Sequence, residues 1–271
     1  NAKKFSDAMS ELDPKYVDEA LNYKKKAKKP GWIKWGVLAA CLTVLIVGVF
    51  SVKQQRNQIS LSSNSTNVTA YYTNNPFLVA NSSDSLVFLT EEELFTTFNT
   101  AIFKGTVSEI RNIILNFNGD KAYRAIAEIT VEQVYRGPCS AGDTISVLLP
   151  CPLIKGFWAT DTSTVSAMEA GTTGIFMPMI YDDENSFWKQ NGAKLDKRDL
   201  AGYGFADGER FAFLETENGL IFSKEAYSSI ANATTLAEIE DYIETMLESP
   251  DREEASSQFL ETQHKKAAEK I

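Results

Sequence analysis

The sequence predicts an α+β protein. It has an N-terminal cytoplasmic helix, one transmembrane helix, and an extracytoplasmic antiparallel β domain: a small OB-like barrel with a C-terminal packing helix. Three observations predict it. The run Trp35–Val52 is uncharged and long enough to cross a bilayer; residues 101–222 hold apolar, partly alternating runs broken by hairpin turn signals; residues 236–247 switch to a helical period. Charge divides along the same lines. Residues 1–34 hold nine Lys and five Asp/Glu, a net of +4; residues 53–271 hold 18 Lys/Arg and 31 Asp/Glu, a net of −13; together they give the chain's −9. A basic stub joined to an acidic domain suits two ends that face different surroundings. The acidic domain repels phosphates, so no direct nucleic-acid binding is expected.

The first part, residues 1–34, is a basic tail with helical patterning. Ser6 is a candidate N-cap, and Asp13-Pro14 reads as an N-cap followed by Pro at the first helical position. Tyr16, Val17, Ala20 and Leu21 then fall on one narrow apolar stripe. Two readings fit this stripe. The helix leads into the membrane with its lysines on anionic lipid, or the stripe docks a cytoplasmic partner.

Trp35–Val52 follows, eighteen residues without a charge. At about 1.5 Å per residue a helix of that length covers roughly 27 Å, close to the hydrocarbon thickness. Trp32 and Trp35 stand at its edge, where amphipathic rings prefer the headgroup region. Lys24, Lys25, Lys26, Lys28, Lys29 and Lys34 precede the run, against only Lys53 and Arg56 just after it. That excess orients the N-terminus to the cytoplasm and the domain to the far side of the cell membrane. A core helix fits poorly, because the run is apolar all round. A signal peptide lacks a clear small-x-small site. Leu38-Ala39-Ala40-Cys41 has the form of a lipobox, but most of the apolar run lies beyond Cys41, which reads as a small residue in a membrane helix.

Residues 53–85 are rich in Asn, Ser, Thr and Gln and read as a flexible linker. Three glycosylation acceptor patterns there, at Asn64, Asn67 and Asn81, are nearly automatic in such a composition.

The β-rich domain spans 86–248. Thr90-Glu91-Glu92-Glu93 is a capping box that opens a helix through about Phe98. Ala101–Ile114 reads as a long twisted strand, and Asn118-Gly119 as a tight hairpin turn. In residues 121–135, Tyr123, Ala125, Ala127, Ile129 and Val131 point one way and polar residues the other, with Ile126 breaking the polar face. Asp143–Leu149 is a third strand, ended by Pro150 and Pro152; Gly174–Tyr181 is a fourth, in which Pro178 marks an edge or a bulge. A further hairpin turns at Asn218-Gly219. Thr235-Leu236-Ala237-Glu238 is a second capping box, and Leu236, Ile239, Ile243, Met246 and Leu247 form one apolar stripe that Pro250 ends. Residues 249–271 are a charged tail.

The residues for catalysis or metal binding are sparse. The one His, His264, lies in the charged tail, so the domain offers no Ser-His, Cys-His or His-metal arrangement. Asp182-Asp183-Glu184, with Asp196 and Asp199 nearby, matches no calcium-loop spacing and reads as a solvated turn. Gly202–Gly208 lacks the strand-then-helix setting and the Lys of a phosphate loop, so Tyr203 and Phe205 read as caps on the core. Cys139 and Cys151 flank a strand of roughly 20 Å, too long for a disulfide unless both ends fold back. No catalytic residue, cofactor or metal is expected.

The stretches DAMSELDPKYVDEAL, KKPGWIKWG, FKGTVSEI, YRAIAEITVEQVYRG, GDTISVLLP and NATTLAEIEDYIETML resemble single-pass membrane proteins of Gram-positive, Clostridia-type gut bacteria. In layout these are similar to membrane-bound anti-sigma factors. The resemblance implies a non-enzymatic regulator in signal transduction, with an external domain that senses an unknown ligand and a cytoplasmic segment that holds a sigma factor. The tail lacks the His/Cys zinc motif of the zinc-containing anti-sigma class. The alternative is a surface-anchored binding or structural module with no cytoplasmic partner. A carboxylate-based surface hydrolase is the weakest reading, since no paired acidic residues stand out.

Overall fold

The computed structural model describes residues 57–76, 86–154 and 161–248. The segment expected to be cytoplasmic, with Tyr16, Val17, Ala20 and Leu21, the lysines and tryptophans expected to orient it, the run Trp35–Val52, and the tail with His264 lie outside the described residues. Among the described residues no helix is long and apolar enough to cross a membrane.

The described part is α+β in kind, mostly strand with few helices. It opens with β1 (Gln58–Ile59) and β2 (Val68–Tyr72), where the sequence predicts a flexible linker. That expectation is corrected over 57–76. β2 pairs antiparallel with the far half of a later strand, Val68 opposite Phe117 and Tyr72 opposite Ile113, and Ala70 is fully buried. The physical reason is that the partner strand, rather than local hydrophobicity, fixes this segment. The polar residues around VTAYY hide a strand from any composition-based reading.

α1 (Glu91–Thr96) carries its predicted capping box in full. The Thr90 hydroxyl accepts from the Glu93 amide at 3.2 Å, and the Thr90 amide donates to Glu93 Oε2 at 2.8 Å. β3 (Ile102–Phe117) and β4 (Asp120–Arg136) form one long hairpin. Its turn, Asn118-Gly119, has both residues at positive φ, 52° and 107°, as a two-residue turn matched to strand twist requires. Register shifts at Ile102/Phe103, Lys104/Gly105 and Val107/Glu109 bend the pair. Gly105 permits the bend, because a Cβ there would stand 2.5 Å from the Thr130 carbonyl oxygen.

β5 (Thr144–Leu149) pairs with β4; α2 (Ser163–Ser166) follows. The strand predicted over Gly174–Tyr181 is split into β6 (Thr173–Phe176) and β7 (Met179–Ile180). Pro178 lacks the N–H to continue the ladder, and the Met177 amide turns away to the Phe211 carbonyl at 2.9 Å. β8 (Phe187–Gln190) and β9 (Ala193–Asp196) form a separate hairpin. β10 (Tyr203–Gly204), β11 (Ala212–Thr216), β12 (Gly219–Ile221) and α3 (Leu236–Glu248) complete the order.

The main sheet runs β12-β11-β6-β3-β4-β5-β10-β7. β10 is parallel to β5 and antiparallel to β7. The sheet curls, because β7 returns to the residues just before β3. Ala101 donates to the Pro178 carbonyl at 2.9 Å, and Ile180 donates to the Asn99 carbonyl at 2.8 Å.

Two cores result. Phe103, Ala125, Ala127, Ile129, Val147 and Phe213 fill the larger one, and α3 covers it with Leu236, Ile239 and Ile243. Each of those isoleucines contributes roughly 1.5–3 kcal/mol by burial. Ile126 does not break a polar face. It is buried in the second core with Ile113, Leu115, Leu148 and Leu195. Both faces of β4 are therefore covered at this point.

Candidate ligand-binding cleft

The second core ends in an open cleft of about 390 Å³. Its floor comes from β4 at Arg124 and from the end of β5 at Leu148–Pro150. One wall is the connection after β7, with Tyr181, and the β8–β9 hairpin, with Phe187, Trp188 and Lys189. Lys197, in the 3₁₀ turn Lys197–Asp199, and Phe205 close it. Cations and aromatic rings line the cleft, and among the described residues no carboxylate does.

The hairpin that forms the wall is held by residues read from sequence as linker. Thr66 and Lys194 exchange backbone hydrogen bonds at 2.7 and 2.9 Å. The Ser65 hydroxyl donates to Asp199 Oδ2 at 2.6 Å, and the Asn64 amide group donates to Asp196 Oδ2 at 3.3 Å. The acceptor pattern at Asn64-Ser65-Thr66 is thus hydrogen-bonded to the hairpin, with Asn64 itself at the surface. The hairpin turn, Asn191-Gly192, has positive φ at both residues, 48° and 71°. It meets the turn of the β3–β4 hairpin, where Asn191 Nδ2 donates to the Asn118 carbonyl at 3.1 Å.

Arg124 leaves β4 on the face opposite Ala125 and lies beneath the hairpin. Its guanidinium carbon is 4.8 Å from the centre of the Trp188 ring, which in turn packs on Phe117 at 4.7 Å. Nη1 donates to the Tyr123 carbonyl at 2.8 Å. Burial draws the Arg124 pKa below its ordinary value, against a weak opposing pull from Cys151 and Tyr181. Lys197 is half-buried with Nζ 4.3 Å from the Tyr181 ring centre, and burial lowers its pKa too. None of the ion pairs among the described residues includes Arg124, Lys189 or Lys197.

Tyr181 is 8% exposed, and burial pushes its phenol well above the usual range, so it stays a neutral hydroxyl. Gly204 lies against that hydroxyl, and a Cβ there would collide with it. Ser186 is fully buried, and its hydroxyl has no partner among the described residues.

The acidic cluster does other work. Asp182 Oδ1 accepts from the amides of Glu184 and Asn185, closing a turn. Asp196 and Asp183 clamp Arg198 at 2.8 and 2.7 Å. Among the described residues no group of three or more His, Cys, Asp or Glu comes together to hold a metal. Cys139 and Cys151 are separate buried thiols, and burial raises both pKa values. Tyr203 is half-buried and Phe205 buried, both against the larger core as expected, but Tyr203-Gly204 is also a strand that the sequence reading does not include.

Sequence reasoning does not single out Arg124, Tyr181, Trp188 or Lys197. One signal was available: Asn191-Gly192 is the same dipeptide as Asn118-Gly119 and marks the hairpin that builds the cleft wall.

No family model matches the chain, and neither the curated proteins nor the solved structures include a match.

Proposed function

We propose that this chain is a membrane-anchored, non-enzymatic regulator: an outer domain binds a ligand, and the cytoplasmic segment 5–29 holds a partner, a sigma factor in the anti-sigma-like layout. The observation that carries the binding part is the cleft. Six separate stretches of chain converge on it, and they present aromatic rings and cations that enter no ion pair among the described residues. Such convergence of polar groups in a concavity is how small-molecule sites are built.

We further propose that the curled sheet is an OB-type barrel. The order β3-β4-β5-β10-β7 supports this, as do β10 running parallel to β5, the return of β7 to residues 99–101, and α2 in the β5–β6 connection. Barrels of this type bind ligands on the face of their second and third strands and the loop between the fourth and fifth. Here those are β4, β5 and residues 181–202, where the cleft lies.

The membrane anchor is supported by the uncharged run Trp35–Val52 and the lysines before it. The test is affinity capture of the full-length chain from detergent-solubilised membranes, with Leu21→Glu as control. The regulator reading expects a sigma factor that Leu21→Glu no longer recovers. Capture that brings down no cytoplasmic protein contradicts it and leaves a surface-anchored binding module.

A further inference from the structure

Among the described residues the cleft holds three cations, Arg124, Lys189 and Lys197, and no carboxylate, in a domain whose remaining residues are strongly acidic. Arg124 carries the argument. A guanidinium has five N–H donors and is never neutral in a protein. Here a ring covers one face, Nη1 alone has a hydrogen-bond acceptor among the described residues, and burial works against the charge. Arg124 is half-buried, and its remaining N–H groups are left to the open cleft. Even partial withdrawal of a charge from water is unfavourable without a partner, which folded proteins usually supply when the charge is only structural. Asp182, Asp183, Asp196 and Asp199 all lie in the same stretch of chain as the cleft wall. Yet Asp182 closes its own turn, Asp183 and Asp196 hold Arg198, and Asp199 accepts from Ser62 and Ser65.

We infer that the cleft binds a small organic anion, a phosphate or carboxylate on a body about the size of one sugar unit, with Arg124 as the anion anchor. This rests on the reading of the cleft as the binding site. Lys197 supplies a second charge, and the Tyr181 hydroxyl can donate a hydrogen bond. Phe187, 37% exposed at the rim, offers a ring to the ligand body. The size follows from the volume of about 390 Å³, at the small end of ligand sites. The net charge of −13 over residues 53–271 argues against a polyanion, which the domain as a whole would repel.

The test is calorimetric titration of the full-length chain in detergent with glucose 6-phosphate, glucuronate and uncharged glucose, for wild type, Arg124→Gln and Lys189→Gln. The two anions are expected to bind and glucose not. Arg124→Gln is expected to weaken the anions at least about tenfold, the worth of a charge-assisted pair. Lys189→Gln, at the exposed rim, is expected to weaken them only about twofold. Circular dichroism on each variant establishes that it is folded. Equal binding of glucose and the anions overturns the anion assignment but leaves the cleft as a binding site. Binding of none of the three overturns the assignment and counts against the cleft as well. Anion binding that Arg124→Gln leaves unchanged overturns the role of Arg124.

Discussion

Arg210 and Arg124 are both arginines drawn from water in one domain, and their surroundings are opposite. Arg210 is 9% exposed, and each of its three guanidinium nitrogens has a partner. Nε and Nη2 donate to Asp207 Oδ2 at 2.9 Å, and Nη1 donates to the Val87 carbonyl at 2.7 Å. Its own carbonyl accepts from the buried Tyr227 hydroxyl at 2.8 Å. It ties the segment before α1 to the large core. Arg124 has one backbone acceptor, one ring and an open cleft in front. The difference teaches that this fold pairs an arginine fully where the charge holds the structure together. It leaves one poorly paired where the surface is concave.

Replacing Arg210 by Met should break the comparison most severely. Asp207 would be left buried without its cation, at a cost of about 3–5 kcal/mol, and urea denaturation should show the midpoint fall accordingly. Gly204→Ala comes next. The new methyl group must displace the Tyr181 hydroxyl, so a loss of about 1–3 kcal/mol is expected, together with a distorted cleft. A crystal structure of that variant with Tyr181 unmoved would rule this out.

Asp196→Asn should be milder, about 1 kcal/mol, because Arg198 is partly in water. Its pH dependence sharpens the point. Hydrogen bonds from Arg198 hold the Asp196 carboxyl below the usual aspartate range. The folded pKa is thus below the unfolded one. The contribution is whole above the unfolded value and is lost as pH falls through the folded value. The gap in Tm between wild type and Asp196→Asn should stay constant near neutrality and shrink below about pH 4.

Local signals were legible and long-range ones were not. The capping boxes at Thr90 and Thr235, the turn at Asn118-Gly119 and the stripe of α3 each depend on residues a few positions apart, and each stands as read. β2 is hidden in the sequence because its pairing partner lies some forty residues on, in β3, and β1 because it pairs in turn with β2. Ile126, read from the sequence as breaking the polar face, is apolar because a second core, built partly from Leu195, covers that face. β10 is two residues long and takes its strand character from β5 and β7 alone. The cleft joins Arg124 to residues 181–205, a juxtaposition that no spacing rule contains.

The smallest expected change in stability belongs to Arg124, and it tests the contrast most directly. The measurement is the ligand-free thermal melt of Arg124→Met beside wild type, with Arg210→Met as reference. An arginine kept for a ligand should melt, once replaced, at or above the wild-type temperature, since an ill-paired, half-buried charge has been exchanged for an apolar chain. A fall as large as that of Arg210→Met would show that Arg124 holds the fold together, and the contrast between the two arginines would be lost.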